Sequence, residues 1–293
     1  MKMSPVHDRK RGTLFLLASA FSFSTMNVFA RLAGDIPVMQ KMFFRNLVAI
    51  IIISFILKRL NIPPRIHPGT LRQHLLRSFL GTVCTLGNFY AVDHMLLSDA
   101  SILVQLSPFF VILLSSVFLH EKVRPAQYLL IMLAFAGAVF VVKPSAQIFT
   151  ENAAMIALFS SVLGGGAYMM VRALSLSGEN GYIIVFFFSA FSCIVCFPSM
   201  IFQHVPYTPM QFLMLLLMSV AACFGQFFVT AAYRYAPGSE ISIFDYSQVV
   251  FAAIYGWLIF GQVADTQSLI GYTLIIAAAL IMFLQSRRAE TAG

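Results

Sequence analysis

Ten apolar stretches, each about long enough to cross a bilayer, set the terms on which this chain can fold. At 1.5 Å of rise per residue, about 20 residues cover a ~30 Å hydrocarbon core. Stretches of that kind fall near 12–33, 38–57, 73–94, 98–120, 125–143, 153–176, 181–203, 210–235, 239–261 and 267–286. In lipid every backbone N–H and C=O must be satisfied within the protein, so each stretch is expected to be a helix. Hydrophobic residues make up 59% of the 293 and charged residues 10%, whereas a soluble globule carries about a quarter charged. The connections are short, which leaves no room for a soluble domain. The chain therefore reads as an all-α polytopic membrane protein whose solvent is the lipid bilayer.

The net charge of +8 raises a nucleic-acid partner as one reading. The basic residues, however, neither line one helix face nor alternate with exposed aromatics, so no nucleic acid is expected. They sort by topology instead. With the N-terminal Lys2, Arg9, Lys10 and Arg11 in the cytoplasm, ten spans also place the Lys58, Arg59, Arg65, Arg72 loop, the Lys122, Arg124 loop and the Arg287, Arg288 tail there. The opposite connections keep little beyond Arg31, Lys41 and Lys143. This is the positive-inside asymmetry, and it predicts two cytoplasmic termini. The first apolar run has no small-residue cleavage site behind it and reads as a retained span rather than a signal peptide.

Chemistry that would mark an enzyme has no visible machinery. No Walker A loop, HExxH or GxSxG occurs, and the expectation is no enzyme and no cofactor. Cys193 and Cys196 have CxxC spacing, but they lie in a Phe and Ile run with no second CxxC and no nearby His. With Cys84 and Cys223 they read as small buried hydrophobes, and no metal site is expected. The six histidines sit at span ends, where interfacial placement is the default reading. Gly164, Gly165 and Gly166 lie mid-span without a following Lys, so they suit close helix contact or local unwinding rather than phosphate binding.

A shift of 141 residues lays AVDHMLLSDASI (91–102) on AYRYAPGSEISI (232–243), and SPFFVILLSSVFLHE on QVVFAAIYGWLIFGQ. Ala91 meets Ala232, Ser98 meets Ser239, Ser101 meets Ser242, Phe110 meets Phe251 and Asp99 meets Glu240; the same shift puts Arg31 on Arg172. Five spans per copy is an odd number, so the copies enter the membrane in opposite directions. The prediction is ten transmembrane helices as two inverted five-helix repeats, 1–143 and 152–288.

One detail of the first copy is more specific. A span containing Pro108-x-Phe110, a glutamate thirteen residues after the proline at Glu121, a basic loop and a span bearing Gly137 together resemble the drug/metabolite transporter superfamily, and within it the EamA family, over nearly the whole chain. The second copy departs from the pattern, with Val249 at the proline position and Gln262 at the glutamate position. The resemblance implies a secondary transporter of a small organic metabolite, working by alternating access in a bacterial inner membrane. An amino acid or related amphiphilic compound is the implied substrate class, with nucleotide-like, vitamin or drug substrates as alternatives. Spans one to four and six to nine are then expected around the cavity, with five and ten as outer scaffold. An intramembrane enzyme and a non-transporting membrane scaffold are the readings from other classes.

Polar groups inside hydrocarbon are costly, so each is a candidate. Ser24, Asn27 and Arg31 share one face of the first span, and their repeat partners are Gly165, Tyr168 and Arg172. Arg31 and Arg172 lie near span ends, where snorkelling explains them. Arg45, seven residues into the second span, is roughly 10 Å deep and needs either a partner side chain or an anionic substrate group. Asp245 lies roughly 8 Å inside the ninth span, shares a face with Gln248 and stands beside Tyr246. It is the best candidate for proton or ion coupling. Gln105, Asn88, Tyr90, Gln226 and Tyr233 complete the polar candidates, each able to serve equally as an interhelical hydrogen bond. Pro108 removes a backbone donor and crowds the carbonyl of Val104, which predicts a kink in the fourth span, either a hinge or a packing feature.

Overall fold

The structure is a computed structural model and describes residues 9–118, 125–142, 152–202, 205–235 and 242–291. No strand occurs among the described residues. In chain order the helices are α1 (Arg9–Leu32), α2 (Val38–Arg59), α3 (Leu71–His94), α4 (Leu97–Val104), α5 (Ser107–Phe118), α6 (Pro125–Val142), α7 (Ala153–Leu176), α8 (Gly181–Phe202) and α9 (Pro209–Tyr235). A 3₁₀ turn (Ser242–Tyr246), α10 (Ser247–Phe260) and α11 (Thr266–Thr291) follow. The helix pairs α4/α5 and 3₁₀/α10 each make one span, so the described residues form ten spans.

Among the described residues, five helices, α1, α2, α7, α8 and α9, contain a window long and apolar enough to cross a membrane. The others are shorter apolar helices or, in α3, carry Arg72, Arg77 and Asp93. Ile51, Ile194 and Trp257 expose 61%, 73% and 63% of their surfaces. An apolar exterior of this kind is stable only against lipid tails.

Contacts between spans repeat when each span is exchanged for the one five places along. The two most extensive contacts are α1 with α9 and α3 with α7, that is span one on eight and span six on three. Span four packs on six as nine packs on one, while five against ten and two against seven map onto themselves. Two inverted five-helix repeats interlock in this arrangement.

Spans five and ten meet through glycine. A Cβ on Gly271 would lie 2.6 Å from the Gly137 carbonyl oxygen and 3.2 Å from the Val141 nitrogen, so backbone touches backbone. The glycine triplet likewise serves close contact. α7 continues through it unbroken, and a Cβ on Gly164 would meet Ser107 Oγ at 2.7 Å.

The fourth span is not one helix kinked at its proline. α4 ends at Val104 and α5 begins at Ser107, so the break at Gln105 and Leu106 precedes Pro108. The Val104 carbonyl, which has no N–H to accept at position 108, accepts the Ser107 hydroxyl at 2.7 Å. Span nine changes from 3₁₀ to α between Tyr246 and Ser247, the same place under the 141-residue shift, with Val249 where the proline would stand. There the Ser247 hydroxyl donates to the Phe244 carbonyl at 2.6 Å. The two breaks also satisfy each other: Gln105 Nε2 donates to the Asp245 carbonyl at 2.9 Å, and Tyr246 OH donates to the Gln105 carbonyl at 3.0 Å. Unwound backbone is tolerated at membrane depth because it is buried in protein and paired.

A cleft at the repeat interface

A narrow cleft opens between α2, α8 and α9. It runs from Arg45 and Asn46, past Phe188 and Gln226, to Gly181 and Tyr182 at one end of the bundle. Helix α2 places Arg45 two turns from its N-terminus. The guanidinium Nε is buried without a hydrogen-bond partner, as is Asn46 Oδ1. Arg77, which the hydropathy pattern places in the first turns of the third span, reaches the same region. Its guanidinium lies 3.9 Å from the centroid of the Phe188 ring, and its Nε and Nη1 are also buried and unpartnered. Gly81, one turn further along α3, makes this possible: a Cβ there would meet Arg77 Nη1 at 2.7 Å. Arg45 and Arg77 are close enough to act on each other's charge, and both act on Tyr168 and Cys84. Tyr168 is 59% accessible, yet its hydroxyl is also within electrostatic reach of Asp245. Tyr168 thus stands within reach of the charges of two cations, Arg45 and Arg77, and one carboxylate, Asp245.

The opposite end is closed by polar contacts. Lys41 is fully buried and donates to both carboxylate oxygens of Asp93, at 2.8 and 2.7 Å. Half-buried Arg31 donates from its Nη1 to the Met95 carbonyl at 2.9 Å, and its guanidinium lies 5.0 Å from the Phe260 ring centroid. Gln211 Nε2 donates to the Ala33 carbonyl at 3.2 Å. Gly261, in the left-handed conformation that closes α10, turns the chain so that Gln262 Oε1 accepts the Leu97 N–H at 3.1 Å. The residue that departs from the family pattern thus caps α4 and ties one half to the other.

At the mouth of the cleft a buried carboxylate links two loops. Glu179 Oε2 accepts the His67 N–H at 3.0 Å and the Thr70 hydroxyl at 3.2 Å, and lies 3.1 Å from His74 Nε2. Burial alone would push the Glu179 carboxyl up, but the hydrogen bonds from His67, His74 and Thr70 together outweigh it and hold it below its usual value of 4.5. A depressed carboxyl contributes stability that is present above the ordinary value and lost as pH falls through the folded-state one. Thermal melts between about pH 6 and about pH 3 are expected to show the wild type losing stability more steeply at the acid end than Glu179→Gln. Parallel curves would remove the link.

Of the polar residues singled out in the sequence, the structure brings Arg45 and Gln226 together in the cleft, with Tyr168 within electrostatic reach of Arg45. Gln105, Asp245 and Tyr246 meet at the crossed breaks. Asn88 donates to Asn27 at 3.3 Å, and Asn27 Nδ2 is left buried without a partner. Gln248 contributes its carbonyl, which accepts the Ser24 hydroxyl at 2.8 Å. Tyr90 stands apart, stacked on His94 at 4.1 Å near the end of α3. Asp245 and Arg45 form no ion pair among the described residues. Pro108 is described by its backbone alone; the Glu121, Lys122, Arg124 turn and the side chains of Arg172 and Tyr233 lie outside the described residues. Arg77, the Lys41–Asp93 pair and the His74–Glu179 contact were missed. The signal for Arg77 was its position inside an apolar stretch one turn before a glycine.

The EamA-like transporter family matches residues 10–143 and again residues 152–284. The pseudopaline exporter of Pseudomonas aeruginosa is 32% identical over 275 residues, covering 93% of this chain and 96% of the relative. A riboflavin transporter of Vibrio cholerae is 24% identical over 281 residues, covering 94% of this chain and 93% of the relative. A solved crystal structure shares the fold at a TM-score of 0.69 and 15% identity, over 97% of this chain and 100% of its own. Its likeness speaks to architecture, which is the ten-span interlocked arrangement described above. A family of transporters rather than enzymes, matched twice along the chain in register with the two halves, settles the class: the chain is a multi-pass membrane protein of the EamA-like transporter family, within the drug/metabolite transporter superfamily.

Proposed function

We propose that the chain exports a small amphiphilic metabolite, of amino-acid-like character, across the inner membrane as a secondary transporter working by alternating access. The observation that supports this best is a mainly apolar cleft carrying Arg45 and Gln226, open at the Gly181 end and closed at the Lys41–Asp93 end. Residues 1–143 and 152–288 act as the two repeats, and exchanging their conformations opens the second end while closing the first. Both termini and the Lys58 to Arg72 loop face the cytoplasm, so the open end of the cleft faces inward. That orientation suits loading from the cytoplasm, and the exporter among the relatives supports the direction. Substrate contacts come from Arg45, Gln226 and Tyr168, with Asn27 offering its unpartnered amide. Asp245, beside Tyr168 and the crossed breaks, is the coupling carboxylate for a proton or ion.

Cells with the chain, without it and with Arg45→Met are compared by mass spectrometry of cytosol and medium. At least one metabolite is expected to appear in the medium only with the chain, and to fall about tenfold with Arg45→Met at equal membrane abundance, since a lost charged hydrogen bond weakens binding by that order. A medium that does not depend on the chain would contradict the reading.

A further inference from the structure

We infer that the substrate carries at least two anionic groups, carboxylates or their equivalent, held by Arg45 and Arg77 as a pair. The inference rests on the transport reading and adds the ligand's charge to it.

The two guanidiniums come from different helices, α2 and α3, and converge on one region through Phe188, which lines the cleft with Arg45 and carries Arg77 on its face. Each has buried N–H groups with no acceptor: Nε of Arg45, and Nε and Nη1 of Arg77. The cleft lining includes no Asp or Glu, and neither arginine pairs with a carboxylate among the described residues. Two neighbouring cations away from bulk water repel each other and lack hydrogen bonds, an arrangement that costs stability unless a ligand supplies charge and acceptors. Salt bridges elsewhere show what a structural role looks like here: Lys41 at the closed end is also buried, and it is paired with Asp93. Guanidinium presents N–H donors in a planar fork that fits a carboxylate with two parallel bonds, so two of them read two carboxylates, or one doubly charged group. Stacking on Phe188 fixes the plane of Arg77 in advance, and Gly81 leaves the space its Nη1 occupies. A ligand without acceptors would leave these three nitrogens unsatisfied, and one whose only charge is an ammonium would add a third cation.

The test takes the metabolites whose appearance in the medium depends on the chain and passes them over a strong anion exchanger at about pH 7, where carboxylates are ionised. Retention is expected, together with a loss of export of about tenfold or more in Arg77→Met, and a smaller loss in Arg77→Lys, which keeps the charge without the fork. Size-exclusion retention and membrane abundance of the variants check that they fold; where Arg77→Met does not fold, the charge of the exported compound decides alone. Unretained compounds, or export at the wild-type rate in folded Arg77→Met, would overturn the anion assignment and leave the transport reading in place. If no metabolite depends on the chain, the transport reading falls and this inference with it.

Discussion

Gly271→Leu is expected to remove most of the folded protein from the membrane. The position faces backbone: even a methyl would sit 2.6 Å from the Gly137 carbonyl oxygen, 2.6 Å from Val141 Cγ2 and 3.2 Å from the Val141 nitrogen. A side-chain tip can swing aside, but two helix backbones can relieve such a clash only by moving apart. Separation would cost the packing of Ile131, Ala134 and Ala138 against Tyr272, Ile275 and Ala278, which belong to one buried cluster. Overpacking usually costs about 1–3 kcal/mol and more where relaxation is blocked; small residues are also what lets membrane helices attract each other at close range. Gly166→Ala is the control. Its Cβ would meet the leucine tips of Leu80 at 3.1 Å and Leu114 at 3.7 Å, which can give way, and it is expected to cost about 1 kcal/mol or less. Equal amounts of monodisperse wild type and Gly271→Leu after extraction would mean that this contact is not needed to hold spans five and ten together.

Span number and the two-copy organisation were legible in the sequence because they depend on local quantities. Apolar length decides whether a helix crosses lipid, and a constant 141-residue shift survives in residues such as Ser101 and Ser242. Breaks in spans four and nine were legible only in part. Pro108 drew attention to span four, but the break precedes it, and span nine breaks at the matching place without a proline. What holds both is reciprocal: Gln105 and Tyr246 are 141 residues apart and each serves the other copy's backbone. Nothing in the local hydropathy of either span encodes that pairing. The same reason hid Glu179, whose partner His74 lies 105 positions away, and made a buried histidine look like an interfacial one. Arg45 stood out by depth alone. Arg77 did not, since its place near the start of a span mimics a snorkelling residue, and only folding shows its guanidinium turned inward over Phe188.

Asp93→Ala is expected to shift the protein toward a state open at the end that is now closed. Lys41 lies in the first turn of α2, the positive end of the helix dipole, where a cation is disfavoured. It is fully buried, and Asp93 accepts from it with both oxygens. Without that carboxylate the ammonium is left buried and unpaired, a loss of about 3–5 kcal/mol, unless the end opens and water reaches it. A bias of about 3 kcal/mol changes a two-state ratio more than a hundredfold, enough to reverse a preference of ordinary size. Alternating access is the claim at stake, and spin labels at both ends measure it most directly. One pair, at Asp35 and Val263, spans the closed end; the other, at Arg59 and Tyr235, spans the mouth of the cleft. Pulsed electron double resonance on wild type and Asp93→Ala should find the Asp35–Val263 distance longer and the Arg59–Tyr235 distance shorter in the variant. Distances that stay unchanged at both ends, or lengthen at both together, would contradict exchange of the two ends and leave a cleft that does not alternate.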